Sequence, residues 1–211
     1  MRFVDHSRVV VAGILLSTVM AGSADPARAT TLNLQVGSSQ DDYKQSQSGS
    51  SVKTDTTLDL WTTSDQQVAL RFLNVTVPKS AHITSATLQV YSPNTGTSND
   101  MLGTVRGEKV VDAPAWTGAS NEISAAPKTS AVAVVDNPPT WTGNAHNDLA
   151  DVTAVVQEIV DLCDWESGNA MKLFLIAADQ STHRRTHTYD SAPSKGAKLI
   201  IEYELCNGAK V

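Results

Sequence analysis

Short runs that alternate apolar and polar residues recur along the chain, separated by turn signals, and only one stretch is spaced as a helix. Ile83 to Tyr91 (ITSATLQVY) is the clearest of these runs, and Thr31 to Val36 (TLNLQV) repeats the pattern. A period of two places one side-chain set on a buried face and the other on an outer face, as in a half-buried strand. Leu58–Trp61, Val68–Phe72, Leu102–Val111 and Ser130–Val135 add strands, and Asn137-Pro138-Pro139 ends the last of them because proline cannot donate to a ladder. Ala170–Ala177 (AMKLFLIA) reads as a buried strand, Thr186–Tyr189 as a short one and Ala197–Leu205 as the closing strand.

Between them, Val152, Val155, Val156, Ile159, Val160 and Cys163 share one helical face. Asp148 or Asp151 is placed to cap its start, and Gly168 ends the turn that follows. Many strands, regular turns and one amphipathic helix predict a mainly β, antiparallel sandwich or barrel. Gly37 to Thr57, rich in Gly, Ser, Gln, Asp and Lys, reads as a long exposed loop between strands.

The first residues set the expected compartment. Arg2 and Arg8 precede an apolar run from Val9 to Met20, too short to span a bilayer comfortably, and Ala27-Arg28-Ala29 offers a small-residue cleavage site. Residues 1–29 are therefore read as a secretory signal peptide and 30–211 as one domain, with no membrane span left after cleavage. The expected location is extracellular or at the cell surface, or the periplasm in a bacterium. Twenty-two Asp and Glu against 16 Lys and Arg leave no electrostatic footprint for nucleic acid. In an oxidising compartment the two cysteines, Cys163 and Cys206, are expected to pair. Such a bridge closes a loop of about forty residues and contributes about 3 to 4 kcal/mol in the chain-entropy account.

Three blocks carry a family likeness. Ala69–Ser92 (ALRFLNVTVPKSAHITSATLQVYS), Asp148–Ile176 and His183–Glu202 together resemble secreted DNRLRE-type domains, in order along the chain. The resemblance implies a jelly-roll-like antiparallel β-sandwich with one short amphipathic helix, in some members associated with polysaccharide. Those domains are often appended to larger enzymes, whereas here the domain is read alone.

No nucleophile elbow, zinc-protease helix, phosphate loop or dinucleotide fingerprint occurs in the sequence. The densest polar cluster is His183-Arg184-Arg185-Thr186-His187 with Tyr189 and Asp190 after it. The arginines offer planar forks to anionic sugar groups, or to structural acids such as Asp190 or Glu158. Of four tryptophans, Trp61 and Trp165 are assigned to packing, while Trp116 and Trp141, in Pro/Gly/Thr loops, are the candidate sugar-stacking rings. Asp41 and Asp42, with Asp55 and Asp59 beyond, present hard oxygens suited to a structural calcium ion, and Asp190 joins them if the closing hairpin folds back over the first loop. Asn74-Val75-Thr76 is a glycosylation sequon, relevant in a eukaryotic source.

The function expected from these features is a secreted, noncatalytic polysaccharide-binding module. A self-associating structural or adhesive surface protein is the alternative. A lyase or hydrolase using His183 or His187 as base beside an arginine is the third reading.

Overall fold

In the computed structural model the described residues are 29–52, 56–60, 67–95, 101–178 and 184–205. The expected signal peptide is almost wholly outside them, as are Asp55, Trp61, His183 and Cys206. The strands are β1 Thr30–Gln35, β2 Asp42–Gln45, β3 Ser51–Val52, β4 Thr57–Leu60, β5 Gln67–Phe72, β6 His82–Ser92, β7 Leu102–Gly107, β8 Ala133–Asp136, β9 Ala145–Asp151, β10 Met171–Ala177, β11 Arg184–His187 and β12 Lys198–Glu204, with one helix, α1 Thr153–Val160.

One sheet has the order β1-β12-β6-β9 and the other β3-β2-β5-β10-β7-β8, while β4 and β11 form a separate ribbon. Every pairing is antiparallel. Setting aside β2, β3, β4 and β11 and renumbering the remaining strands in chain order, the sheets run 1-8-3-6 and 2-7-4-5. That is the double Greek-key order of a jelly roll. The fold expected on the family likeness is therefore present.

The alternation read in the sequence accounts for the core. Ala86, Leu88 and Val90 of β6 and Leu199 and Ile201 of β12 face Leu70, Phe72, Leu173 and Leu175 of the opposing sheet. The apolar stripe of α1, Val155, Val156, Ile159 and Val160, is buried at one end of the sandwich. Its approach is so close that a Cβ on Gly107 would stand 2.5 Å from Ile159 Cδ1, so β7 needs glycine there. Neither expected residue is the N-cap, which is Val152 and has no capping side chain; Asp151, one residue earlier, accepts the Thr153 amide at 2.9 Å, and Asp148 accepts from Gln89 at 2.7 Å. Trp165 is packed as expected, its Nε1 donating to Val77 O at 3.0 Å.

Two expectations need correction. The stretch from Gly37 to Thr57 is not an exposed loop, since it contains β2 and β3, and Asp41, Asp42, Tyr43 and Gln45 are buried. Gln45 is buried because it is satisfied: its Oε1 accepts from Ile123 N at 2.7 Å and its Nε2 donates to Ser124 Oγ at 2.9 Å. Tyr43 anchors a second, smaller core with Ala69, Phe174 and Ile123, roofed by the irregular 111–130 segment and half-buried Trp116. The other correction is β9, an edge strand where a loop and helix start are expected. Only Leu149 of its residues is buried, so it lacks an apolar alternation.

Candidate functional site

Tyr91 stands on the outer face of the four-stranded sheet, in phase with half-buried Gln89 and Thr87 and out of phase with core Leu88 and Val90. Its register partner on β9 is His146, whose ring meets it edge-on with centroids 5.1 Å apart. His187, the last residue of β11, leans on the same ring at 5.7 Å, and Lys195 Nζ lies 5.5 Å from its centroid. The phenol donates to Asn144 O at 2.8 Å, which fixes the ring. Thr186 Oγ1 donates to Tyr91 O at 2.9 Å, so β11 is tied to the end of β6 and the rings cannot drift apart.

The proton positions follow from the partners. His146 Nε2 is 3.1 Å from the Gly196 carbonyl, which also accepts from Gln35 Nε2 at 3.0 Å. A carbonyl only accepts, so Nε2 carries the hydrogen and Nδ1 is left as an acceptor. His187 Nδ1 likewise faces Thr56 O at 3.4 Å, while its Nε2 lies 3.5 Å from the Lys195 ammonium. Burial holds both imidazoles below their ordinary value, and nearby Lys198 for His146 and Lys195 for His187 push the same way. Both rings are thus neutral at neutral pH. Arg185 is two residues from His187 and on the same face of the β4–β11 ribbon, about half exposed, and its Nε donates to Asp59 at 2.8 Å. The surface therefore joins an aromatic ring, two neutral imidazoles, an ammonium and a guanidinium, a donor-rich array around one apolar ring.

A second cluster involves the turn that follows His187, just past the end of β11. Asp42 Oδ2 accepts the Tyr189 amide at 2.7 Å, and Ser39 Oγ donates to Asp190 Oδ1. The closing hairpin does fold back over the first loop, bringing Asp41, Asp42 and Asp190 together. Burial pushes the Asp42 carboxyl up to about 7, with the like charges of Asp190 and Asp41 adding to it against the Tyr189 amide. Asp41 is fully engaged, accepting Arg71 Nη1 at 2.9 Å on Oδ1 and Ser38 Oγ at 2.6 Å on Oδ2. Asp59 belongs to the Arg185 pair, so it is not part of the acidic group expected from the sequence. Among the described residues no set of three or more His, Cys, Asp and Glu side chains is arranged to hold a metal.

The remaining expected ligand residues sit elsewhere. Trp141 is not a surface ring: it is 1% exposed, with the Arg184 guanidinium 4.8 Å from its ring centroid. Arg184 is itself buried and donates to Pro138 O and Pro139 O, both at 2.7 Å, rather than to Asp190 or Glu158. Glu158 is held down to about 2 by the Ala131 and Ser130 amides and by Lys109, which outweigh its desolvation. Trp116 is half-buried on the opposite sheet, tilted against Tyr43 with Nε1 donating to Ser51 Oγ at 3.1 Å. Tyr189 packs against the main core and contributes its backbone amide to Asp42. Cys163 is exposed and forms no disulfide among the described residues, and its expected partner lies outside them. Sequence reading missed Tyr91, His146 and Lys195; the available signal was a tyrosine in the polar phase of the longest alternating run.

A groove of about 670 Å³ runs between α1 and the start of β6 past His82, Asp151, Gln157 and Asp161. Its polar groups are spent locally: Gln157 bonds Ile83 N, Ala81 O and Asp161, and Asp151 bonds Thr153.

No family model matches the chain. No curated protein matches it either. Among solved structures, it is similar to a chain in the structure of infectious bursal disease virus, Gx strain, at 13% identity over 94% of this chain and 43% of that one, with a TM-score of 0.25. A mutant VP2 protein of the same virus, from derived T=1 particles, gives 14% identity over 94% and 41% of the two chains and a TM-score of 0.22. The chain thus spans less than half the length of these viral chains.

Proposed function

We propose that this protein is an exported, noncatalytic module that binds polysaccharide through the surface centred on Tyr91. The carrying observation is the half-buried Tyr91 ring held between His146, His187 and Lys195 on the outer face of a sheet. A hydroxyl-rich chain satisfies such a surface, since its CH faces pack on the ring while its hydroxyls use the imidazoles and carbonyls. Lys195 and Arg185 favour a glycan bearing carboxylate or sulfate. The likeness of Ala69–Ser92 and His183–Glu202 to DNRLRE-type domains points the same way.

The test is retention of the purified protein on immobilised neutral and anionic polysaccharides. Tyr91→Ala and Lys195→Ala are expected to weaken retention on an anionic glycan by about tenfold or more, while Tyr91→Phe retains it. Equal retention of Tyr91→Ala and the parent would remove this surface from the reading. Release of new reducing ends during incubation would replace the module with an enzyme, and concentration-dependent assembly without retention would favour the adhesive protein.

Export includes a Cys163–Cys206 bridge in this reading. Its support is topological: the Cys163 carbonyl accepts from Lys79 Nζ, and β12 ends with Glu204 opposite His82, three residues from Lys79. Peptide mapping without reductant is expected to recover the linked pair; two alkylated cysteines would exclude the bridge.

A further inference from the structure

Asp42 is 1% exposed, yet its Oδ1 has no hydrogen-bond partner, and Asp190 Oδ2 is likewise buried and unpartnered. Leaving a carboxylate oxygen buried and unmatched is costly, and here two such groups repel one another. Arg71 does not relieve them, because its Nη1 is committed to Asp41 and its Nε to Ala113 O at 2.7 Å. Three carboxyl groups meet a single guanidinium at the junction of the Ser38–Asp42 segment and the Tyr189–Ser191 turn. An occupant between Asp42 Oδ1 and Asp190 Oδ2 would meet carboxyl and hydroxyl oxygens.

We propose that Asp42 and Asp190 hold one calcium ion, which pins the Tyr189–Ser191 turn onto the Ser38–Asp42 segment. Calcium accepts carboxylate, hydroxyl, carbonyl and water oxygens in a flexible shell, so two carboxylates suffice where neighbouring oxygens complete it. Ser39 Oγ already touches Asp190, and the bonds that hold the segments together, Tyr189 N to Asp42 and Ser39 to Asp190, use the opposite oxygen of each carboxylate. The two free oxygens are therefore available without breaking any contact. This site shares no residue with the Tyr91 surface and does not depend on the glycan reading.

The experiment is thermal unfolding of the purified chain, stripped with chelator, with and without calcium, joined to calorimetric titration. Calcium at about a hundredfold excess over its Kd is expected to raise Tm by about 5 to 10 °C, with one ion per chain. Asp42→Asn and Asp190→Asn should each abolish the shift, whereas Asp59→Asn, which removes an acid of the Arg185 pair, keeps it. Absence of a shift in the parent at millimolar calcium, or an undiminished shift in either Asp42→Asn or Asp190→Asn, would overturn the site. Two variants are used so that poor folding of one leaves the other decisive.

Discussion

Trp141→Ala is expected to lower the unfolding free energy by about 3 to 5 kcal/mol, while the fraction that remains folded keeps its glycan retention. The ring is 1% exposed and lies under the Arg184 guanidinium, which is held by Pro138 O and Pro139 O. Removing it opens a cavity beneath a charged group whose own position is fixed, so collapse around the gap is limited. Trp141→Phe should cost much less, about 1 to 2 kcal/mol, because it keeps a ring for the guanidinium and sheds an indole Nε1 that has no hydrogen-bond partner. Denaturant titration of both variants separates the terms. A Trp141→Ala variant of parental stability that loses retention would instead return Trp141 to the ligand surface.

The contrast between Trp141 and Tyr91 shows what could be read in the sequence. Nine of the twelve strands, the single helix and the mainly β sandwich follow from local periodicity, because each strand with a buried face writes that face into every second residue. The strand β9 escaped because an edge with one buried residue writes almost nothing. The segment 37–57 escaped for a different reason: its buried polar residues meet groups far along the chain, Gln45 at Ile123 and Ser124, and one oxygen of Asp42 at the Tyr189 amide. Composition alone cannot distinguish a satisfied polar residue from a solvated one. The same limit governs the site. Trp141 in a Pro/Gly/Thr stretch looks exposed until Arg184, more than forty residues later, covers it, and Tyr91 looks like ordinary strand until His146, His187 and Lys195 surround it. Asp190 could be joined to Asp41 and Asp42 in advance only conditionally, on the hairpin folding back.

The smaller core under the 111–130 segment provides the other large effect. Lys172 Nζ lies 2.8 Å from Glu108 Oε2 with side chains 2% and 8% exposed, and 5.8 Å from the Tyr43 ring centroid. A buried pair of this kind adds little over an apolar pair of the same shape, because desolvation consumes its Coulomb gain, yet removing one partner strands the other charge. Lys172→Met is therefore expected to cost about 3 to 5 kcal/mol, and Lys172→Met with Glu108→Met to recover most of that loss. The phenol of Tyr43, already pushed up by burial with Glu122 and Glu108 adding to it, faces the same pocket, so a stranded Glu108 would disturb the roof before the jelly roll itself. Proteolysis between residues 111 and 130 and a change in Trp116 fluorescence should then precede global unfolding in the single variant and return to parental behaviour in the double. If the double variant is as unstable as the single, the ammonium is needed for the Tyr43 ring rather than for Glu108, and the roof is held by the cation over the aromatic face.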